Sequence, residues 1–229
     1  MSIYQIAIDG PAGSGKSTVA KEVANMLDFL YVDTGAMYRA ITLKILRDNI
    51  DLNDQNKLIN EARKCKITFK KKDNNSQIVM LNDENVSNDI RNPYVTATVS
   101  HISKIQGIRK SLVKLQQELG AENSVVMEGR DIGSVVFPKA FLKIYLTASI
   151  AERAKRRFEE YEASGVECDL DKLKTEIAER DLIDSTRKNS PLTKVHDAIE
   201  IETDNLNASQ VAEKIINLFR EKLENENSI

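Results

Sequence analysis

The chain has 229 residues, enough to bury a sizeable core as one large domain or as a core with insertions. Its 33 Lys and Arg nearly balance 35 Asp and Glu, so no global field recruits nucleic acid or an acidic membrane, and any bound anion must be held by a local cluster. The two cysteines, Cys65 and Cys168, make neither a metal spacing nor a disulfide framework, as expected of free thiols in a reducing compartment.

Ile3 to Ile8 reads as a buried parallel strand, short, rich in Ile and closed by Gly10-Pro11. It is too short for a membrane span, has no basic leader before it, and meets Asp9-Gly10-Pro11 instead of a small-residue cleavage site. No other segment approaches spanning length, so a cytoplasmic protein is expected. Ser17 to Leu27 is a helix pattern, with Val19, Val23 and Leu27 on one face. Phe29 to Val32 is a second strand, followed by Asp33-Thr34-Gly35 and a helix from about Ala36 to Leu46. This alternation opens an α/β parallel sheet.

The pattern then changes. Lys66–Phe69, Gln77–Leu81 and Glu84–Val86, separated by Asp73-Asn74-Asn75-Ser76 and Asn82-Asp83, suggest an antiparallel meander inside an insert of roughly forty residues, Leu58 to about Val99. The Lys70-Lys71-Lys72 run is expected at a solvated turn. A helix from about Thr98 to Leu119 leads back to the core. Ser124–Met127, Phe141–Leu146 and Ala198–Ile201 are the third, fourth and fifth strands. Ser149 with Glu152 forms a capping box. Leu170, Leu173 and Ile177 mark the next helix, and Asn207 with Gln210 opens the last.

Gly10-Pro11-Ala12-Gly13-Ser14-Gly15-Lys16-Ser17 matches G-x-x-x-x-G-K-[ST] in full, after a strand and at the start of a helix. Glycines let successive N–H groups turn toward phosphate oxygens, and the helix N-terminus adds partial positive charge. The motif assigns Lys16 to the β- and γ-phosphates of a nucleoside triphosphate and the Ser17 hydroxyl to Mg²⁺, with Gly10 through Thr18 as the binding loop. A guanine-reading N-K-x-D is absent, since Asn56-Lys57-Leu58-Ile59 lacks the Asp. Small size and the insert favour a small-molecule kinase.

Half of the twelve arginines lie between Arg130 and Arg187. Arg156 has Glu152 and Glu160 four residues either side, so pairing on its own helix accounts for it. Arg157 has Glu160. Arg153 has no acidic residue three or four positions away within its helix and is the better candidate for phosphate contact. Arg180, Asp184 and Arg187 continue the Ile177 stripe into charge, as where a helix enters a polar pocket; a surface ion-pair ladder is the plainer alternative. Arg130-Asp131 follows a strand end, where α/β sheets place ligands. His101 and His196 have no triad partners and read as structural.

With these segments in view, the chain resembles the bacterial cytidylate kinases of the nucleoside monophosphate kinase group. The resemblance rests on Gly10 to Thr18, Tyr31-Val32-Asp33-Thr34-Gly35-Ala36-Met37-Tyr38-Arg39, Glu128-Gly129-Arg130-Asp131-Ile132-Gly133 with Val135-Val136-Phe137-Pro138, Glu152 to Arg157, and Arg180-Asp181 with Asp184 and Arg187. It runs from about Ile3 to Ala212. It implies a P-loop NTPase-type five-stranded parallel sheet flanked by helices (1–57, 100–150 and 166–229), a monophosphate-binding insert with a small antiparallel sheet (58–99) and a short helical lid (151–165). It implies ATP and Mg²⁺ as donor and cofactor, and CMP or dCMP as acceptor. Thr34, Arg39, Ser100, Arg109, Arg130, Asp131, Arg180, Asp184 and Arg187 would bind the acceptor, and Lys16, Arg130, Arg153 and Arg180 would be catalytic. One departure is Glu128, where the family commonly carries Asp. A monomer is expected, with no polymeric nucleic acid and no membrane as partner.

A phosphate monoester has a second pKa near 6, so an acceptor of this kind is already nucleophilic at neutral pH and no general base is required. Asp131 is the candidate to read cytosine, because an ionised carboxylate accepts from the exocyclic N4 amine and repels the O4 of uracil. The plainer role for Asp131 is an ion pair with Arg130 or another nearby arginine. Rival functions are a P-loop kinase for UMP, a coenzyme precursor or a sugar, and a non-catalytic nucleotide-sensing module.

Overall fold

The computed structural model describes residues 2–71, 77–163 and 165–227. In chain order the elements are β1 (Gln5–Asp9), α1 (Lys16–Leu27), β2 (Leu30–Asp33), α2 (Thr34–Arg47), α3 (Gln55–Lys64), β3 (Ile67–Lys71), β4 (Gln77–Leu81), β5 (Glu84–Asn85), α4 (Pro93–Ile102), α5 (Gln106–Glu122), β6 (Val125–Gly129), β7 (Leu142–Thr147), α6 (Ile150–Ala163), α7 (Leu170–Thr186), β8 (Ile199–Glu202) and α8 (Ala208–Asn227). The chain forms two compact units, one of residues 1–31 with 123–229 and one of residues 32–122. The second unit contains the whole 58–99 segment together with α2, all of α3, α4 and α5.

The first unit is built on a five-stranded sheet of order β2-β6-β1-β7-β8, with β2 running across the unit boundary. β1 pairs in parallel with β6 and β7, and β7 with β8. Ile6, Ala7 and Ile8 are fully buried, as a central strand covered on both faces requires, which is why the segment reads as a continuous apolar run. Val19, Ala20, Val23 and Ala24 of α1 and Val211, Ala212, Ile215, Ile216 and Phe219 of α8 pack into the same core. Tyr4, Phe29 and Phe141 each meet Phe219 edge-on. The final helix begins with a reciprocal cap: Asn207 N donates to Gln210 Oε1 at 3.0 Å, and Gln210 N to Asn207 Oδ1 at 2.9 Å. Ala154, Leu173 and Ile177 form a second small core joining α6 to α7.

In the second unit, β3, β4 and β5 form the antiparallel meander. Lys70 lies within β3 and not at a turn, as does the backbone of Lys71; Lys72 and the 73–76 turn lie outside the described residues. The single helix expected over 98–119 is two helices. Asn92 caps α4 earlier by accepting from Val95 N at 2.8 Å, with Pro93 in the first turn. At Ser103–Ile105 the ladder tightens to three-residue bonds, Lys104 N to His101 O and Ile105 N to Ile102 O, which ends the helix before α5 begins. Among the described residues no helix is long and apolar enough to cross a membrane.

Candidate active site

Every part of the phosphate loop is set by the exit from β1, the central strand. Gly10 turns there with φ 152°, and a Cβ on it would stand 2.0 Å from the carbonyl oxygen of Leu146 in β7, so no other residue fits. Gly13, at φ 78°, adopts a conformation that L side chains rarely take, and a Cβ on it would press on Arg153 Cβ at 3.2 Å. Gly15 is the N-cap of α1, and its carbonyl accepts the first helical bond, from Val19 N at 3.1 Å. Ser14 Oγ donates to Pro11 O at 3.1 Å and Lys16 Nζ to the same oxygen at 2.7 Å, so the loop closes around the lysine. Ser17 and Thr18 are exposed on the first turn.

The charges behind this loop are buried. Lys16 is pushed down to about 7 by burial and by the Arg130 charge, with Glu128 opposing and Arg180 reinforcing. Asp9, the residue before Gly10, accepts from Ile132 N at 2.8 Å with one carboxylate oxygen and from Gly133 N at 2.7 Å with the other. Burial nonetheless raises it to about 6, those two hydrogen bonds pulling the other way and Asp131 adding to the rise. Glu128 is buried at the end of β6 and accepts from the Tyr31 hydroxyl at 2.7 Å.

The acceptor residues predicted in the first unit form one network. Arg130 Nε donates to Asp184 Oδ2 at 2.8 Å. Arg187 stands 3.9 Å from the other Asp184 oxygen and 3.6 Å from Asp131 Oδ1. Burial alone would raise the Asp184 carboxyl, and Arg130, Arg180 and Arg187 together outweigh it and hold it below the usual range. Asp131 therefore has an arginine partner, and it is Arg187.

The acceptor residues predicted in the second unit fall on α2, α4 and α5. Thr34 is buried at the start of α2, which Asp33 caps by accepting from Ala36 N at 3.0 Å. Arg39 donates to Thr96 Oγ1 at 2.8 Å and to Ile90 O at 3.3 Å. Arg109 is buried, donates to Ser103 O at 3.2 Å and lies 5.5 Å from the centre of the Tyr38 ring. Ser100 is half-buried on α4, and its carbonyl accepts from Ser103 Oγ.

The arginines of α6 differ from their expected partners. Arg153 is buried, donating to Ala148 O at 2.9 Å, to Ala12 O of the phosphate loop at 3.0 Å and to Asp181 Oδ2 of α7 at 2.6 Å. Its acidic partner lies on another helix, where a count of neighbours within α6 cannot reach. Arg156 does meet Glu152, at 2.9 Å, but it also donates to Thr203 Oγ1 at 3.1 Å and to Thr203 O at 2.6 Å, so its own helix does not account for it. Thr203 Oγ1 in turn donates to Ser14 O at 3.3 Å, which links Arg156 to the phosphate loop. Arg157 meets the Tyr161 hydroxyl at 3.2 Å. Asp9 and Thr203 had no local motif to reveal them, and Tyr31 and Asp181 lay in family-like segments without an assigned role.

The loop suits a polyphosphate, because its three glycines turn the backbone through positive φ into the N-terminus of α1 and a buried lysine follows them. Mg²⁺ fits beside it through hard oxygen donors, the exposed Ser17 hydroxyl and phosphate oxygens, since the carboxylates of Asp9 and Glu128 are already engaged. Among the described residues no group of three or more His, Cys, Asp or Glu could hold a metal by itself. A phosphate loop at the end of a central parallel strand, backed by an arginine–carboxylate network, defines a P-loop phosphotransferase.

The cytidylate kinase family model matches residues 6–221. A cytidylate kinase from Caldanaerobacter subterraneus is 47% identical over 97% of both chains. A bifunctional pantoate ligase/cytidylate kinase from Prochlorococcus marinus is 49% identical over 98% of this chain, which spans 44% of that longer protein. Among solved structures, an uncharacterized protein from Eubacterium ventriosum is similar in fold, with TM-score 0.53 at 16% identity over 96% of this chain and 99% of its own. The chain belongs to the cytidylate kinase family.

Proposed function

We propose that the chain transfers the γ-phosphoryl group of ATP to CMP or dCMP, giving ADP and CDP or dCDP. The observation that carries this reading is the full-length family match to proteins named cytidylate kinase, on a chain whose phosphate loop is complete. In this reading Gly10 to Thr18 bind the triphosphate. Lys16, drawn out of its bond to Pro11 O, neutralises the transferring phosphoryl. Mg²⁺ on Ser17 and the phosphate oxygens supplies further charge neutralisation when bound.

Thr34, Arg39, Ser100, Arg109, Arg130, Asp131, Arg180, Asp184 and Arg187 serve the acceptor nucleotide. Arg130, Arg153 and Arg180 act on phosphate charge. The acceptor is a dianion near neutral pH, so the protein positions two polyanions in line, neutralises them and excludes water. Coupled-enzyme kinetics with CMP, dCMP, UMP and AMP test the assignment. The expected result is a kcat/KM for CMP or dCMP well above that for UMP and AMP; a preference for UMP or AMP, or no turnover of any of the four, contradicts it.

A further inference from the structure

Directly after Asp131 the chain makes a wide turn, with Val136 N donating to Asp131 O at 3.2 Å and Phe137 N to Ile132 O at 2.7 Å. Two buried charges hold the two ends of this turn. At its start, the Asp9 carboxylate takes the N–H groups of Ile132 and Gly133. At its end, Lys143 Nζ donates to Pro138 O at 2.7 Å and to Asp197 Oδ2 at 2.8 Å.

Asp9 is 6% exposed and Lys143 is 7% exposed, so neither charge is a surface accident. They also share a face of the sheet. Ala7 lies beside Lys143 and Asp9 beside Tyr145 in the paired strands β1 and β7, and residues two apart point the same way. Gly133 sits between them: a Cβ there would lie 3.2 Å from Lys143 Cδ and 3.4 Å from Asp9 Oδ2. The turn is thus pinned to the two strands that also frame the phosphate loop.

We propose that Asp9 and Lys143 are positioning residues that fix the 131–138 turn at its two ends, and through it the placement of Arg130 and Asp131 for the acceptor nucleotide. Each acts through the backbone of the turn. Their effect is on the acceptor, because each bonds the backbone of the segment that follows Arg130, Lys143 pairing with Asp197 as well. The inference rests on the reading of Arg130 and Asp131 as acceptor-binding residues.

Asp9→Asn keeps the volume but sets an NH₂ group against one of the two N–H donors. Lys143→Met keeps the stem that packs on Gly133 and removes the ammonium. Steady-state KM values for CMP and for ATP, with folding checked by circular dichroism, separate the roles. Asp9→Asn should raise the CMP KM by about tenfold or more, and Lys143→Met by about fivefold, with the ATP KM of Lys143→Met within about twofold of wild type, since small misplacements of positioning groups are felt strongly. Gly133→Ala, which only nudges both clasps, should move the CMP KM in the same direction by less, and it replaces either variant that does not fold. An unchanged CMP KM in the folded variants overturns the proposal, as does a rise in both KM values by the same factor. A wild-type protein inactive on cytosine nucleotides would instead overturn the function reading.

Discussion

The phosphate loop and the arginine–carboxylate network lie in the same unit and are built on opposite plans. The loop is eight contiguous residues, and its geometry is set by backbone: a glycine against Leu146 O, another against Arg153, and a helix N-terminus. The network is side chain on side chain, drawn from the turn after β6, from α6, from α7 and from the chain beyond it, with Arg130 and Asp184 54 residues apart and Arg153 and Asp181 28 apart. A backbone-built site tolerates no substitution at its glycines but needs few partners. A side-chain site depends on every partner being neutralised, since a buried charge left alone costs several kcal/mol.

The largest effect should come from the loop. Lys16→Ala should fold, because it removes a buried cation that burial already disfavours, and should lose about 3 kcal/mol or more of transition-state stabilisation in kcat. Near-normal turnover would remove the loop from the chemistry and break the comparison at its first term.

Next come the two arginines of α6, which now differ in degree and not in kind. Arg153→Ala leaves Asp181 without its cation and Ala12 O without its donor, and should cost about 3 kcal/mol of stability along with a fall in kcat. Arg156→Ala breaks the Thr203 link at a more exposed site and should cost about 1 kcal/mol, raising the ATP KM more than it lowers kcat. Urea denaturation and initial rates check both. A larger stability loss for Arg156→Ala would reverse the assignment.

Asp9 sharpens the comparison from the pH side. Its folded pKa of about 6 lies above the ordinary carboxylate value of 3.8, so between those values the folded state holds its proton more firmly than the unfolded one. Stability from this group is greatest at low pH, declines as pH rises through that window and is level above it. Relative to Asp9→Asn, the wild type should lose about 2 kcal/mol between pH 4 and pH 7. A gap that widens in favour of the wild type over that range would show the carboxylate to be stabilised by its two hydrogen bonds more than burial opposes it.

How much of this was legible in the sequence follows the same division. The loop, the five strands and the Asn207 cap are local patterns, and their boundaries fall within a few residues of the observed ones, whereas the Ser149–Glu152 box forms only by half, since Ser149 N donates to Asp204 instead. The kink that splits α4 from α5 was missed because Ser103-Lys104-Ile105 carries neither Gly nor Pro, and only the hydrogen-bond ladder reveals it. The Asp184 neighbourhood of Arg187 was foreshadowed by helical spacing, whereas its bond to Arg130, 54 residues away, was not. Asp181 was not, because partner counting within α6 stops at four residues while the helix pair brings its neighbour from α7. Asp9 was hidden by being one residue ahead of a motif that explains everything after it.

Base selection is where the side-chain plan is most exposed. Asp131 pairs with Arg187 at 3.6 Å, so the carboxylate that would read cytosine also has a structural partner. Measuring kcat/KM for CMP and UMP in the wild type and in Asp131→Asn separates the two roles with almost no change of volume. The amide offers either an oxygen or an NH₂ to the base, so the CMP-over-UMP preference should shrink by about 1–3 kcal/mol, roughly ten- to a hundredfold, with the loss on CMP while UMP stays level or improves. If CMP and UMP fall by the same factor, Asp131 only holds Arg187 in place and another group reads the base.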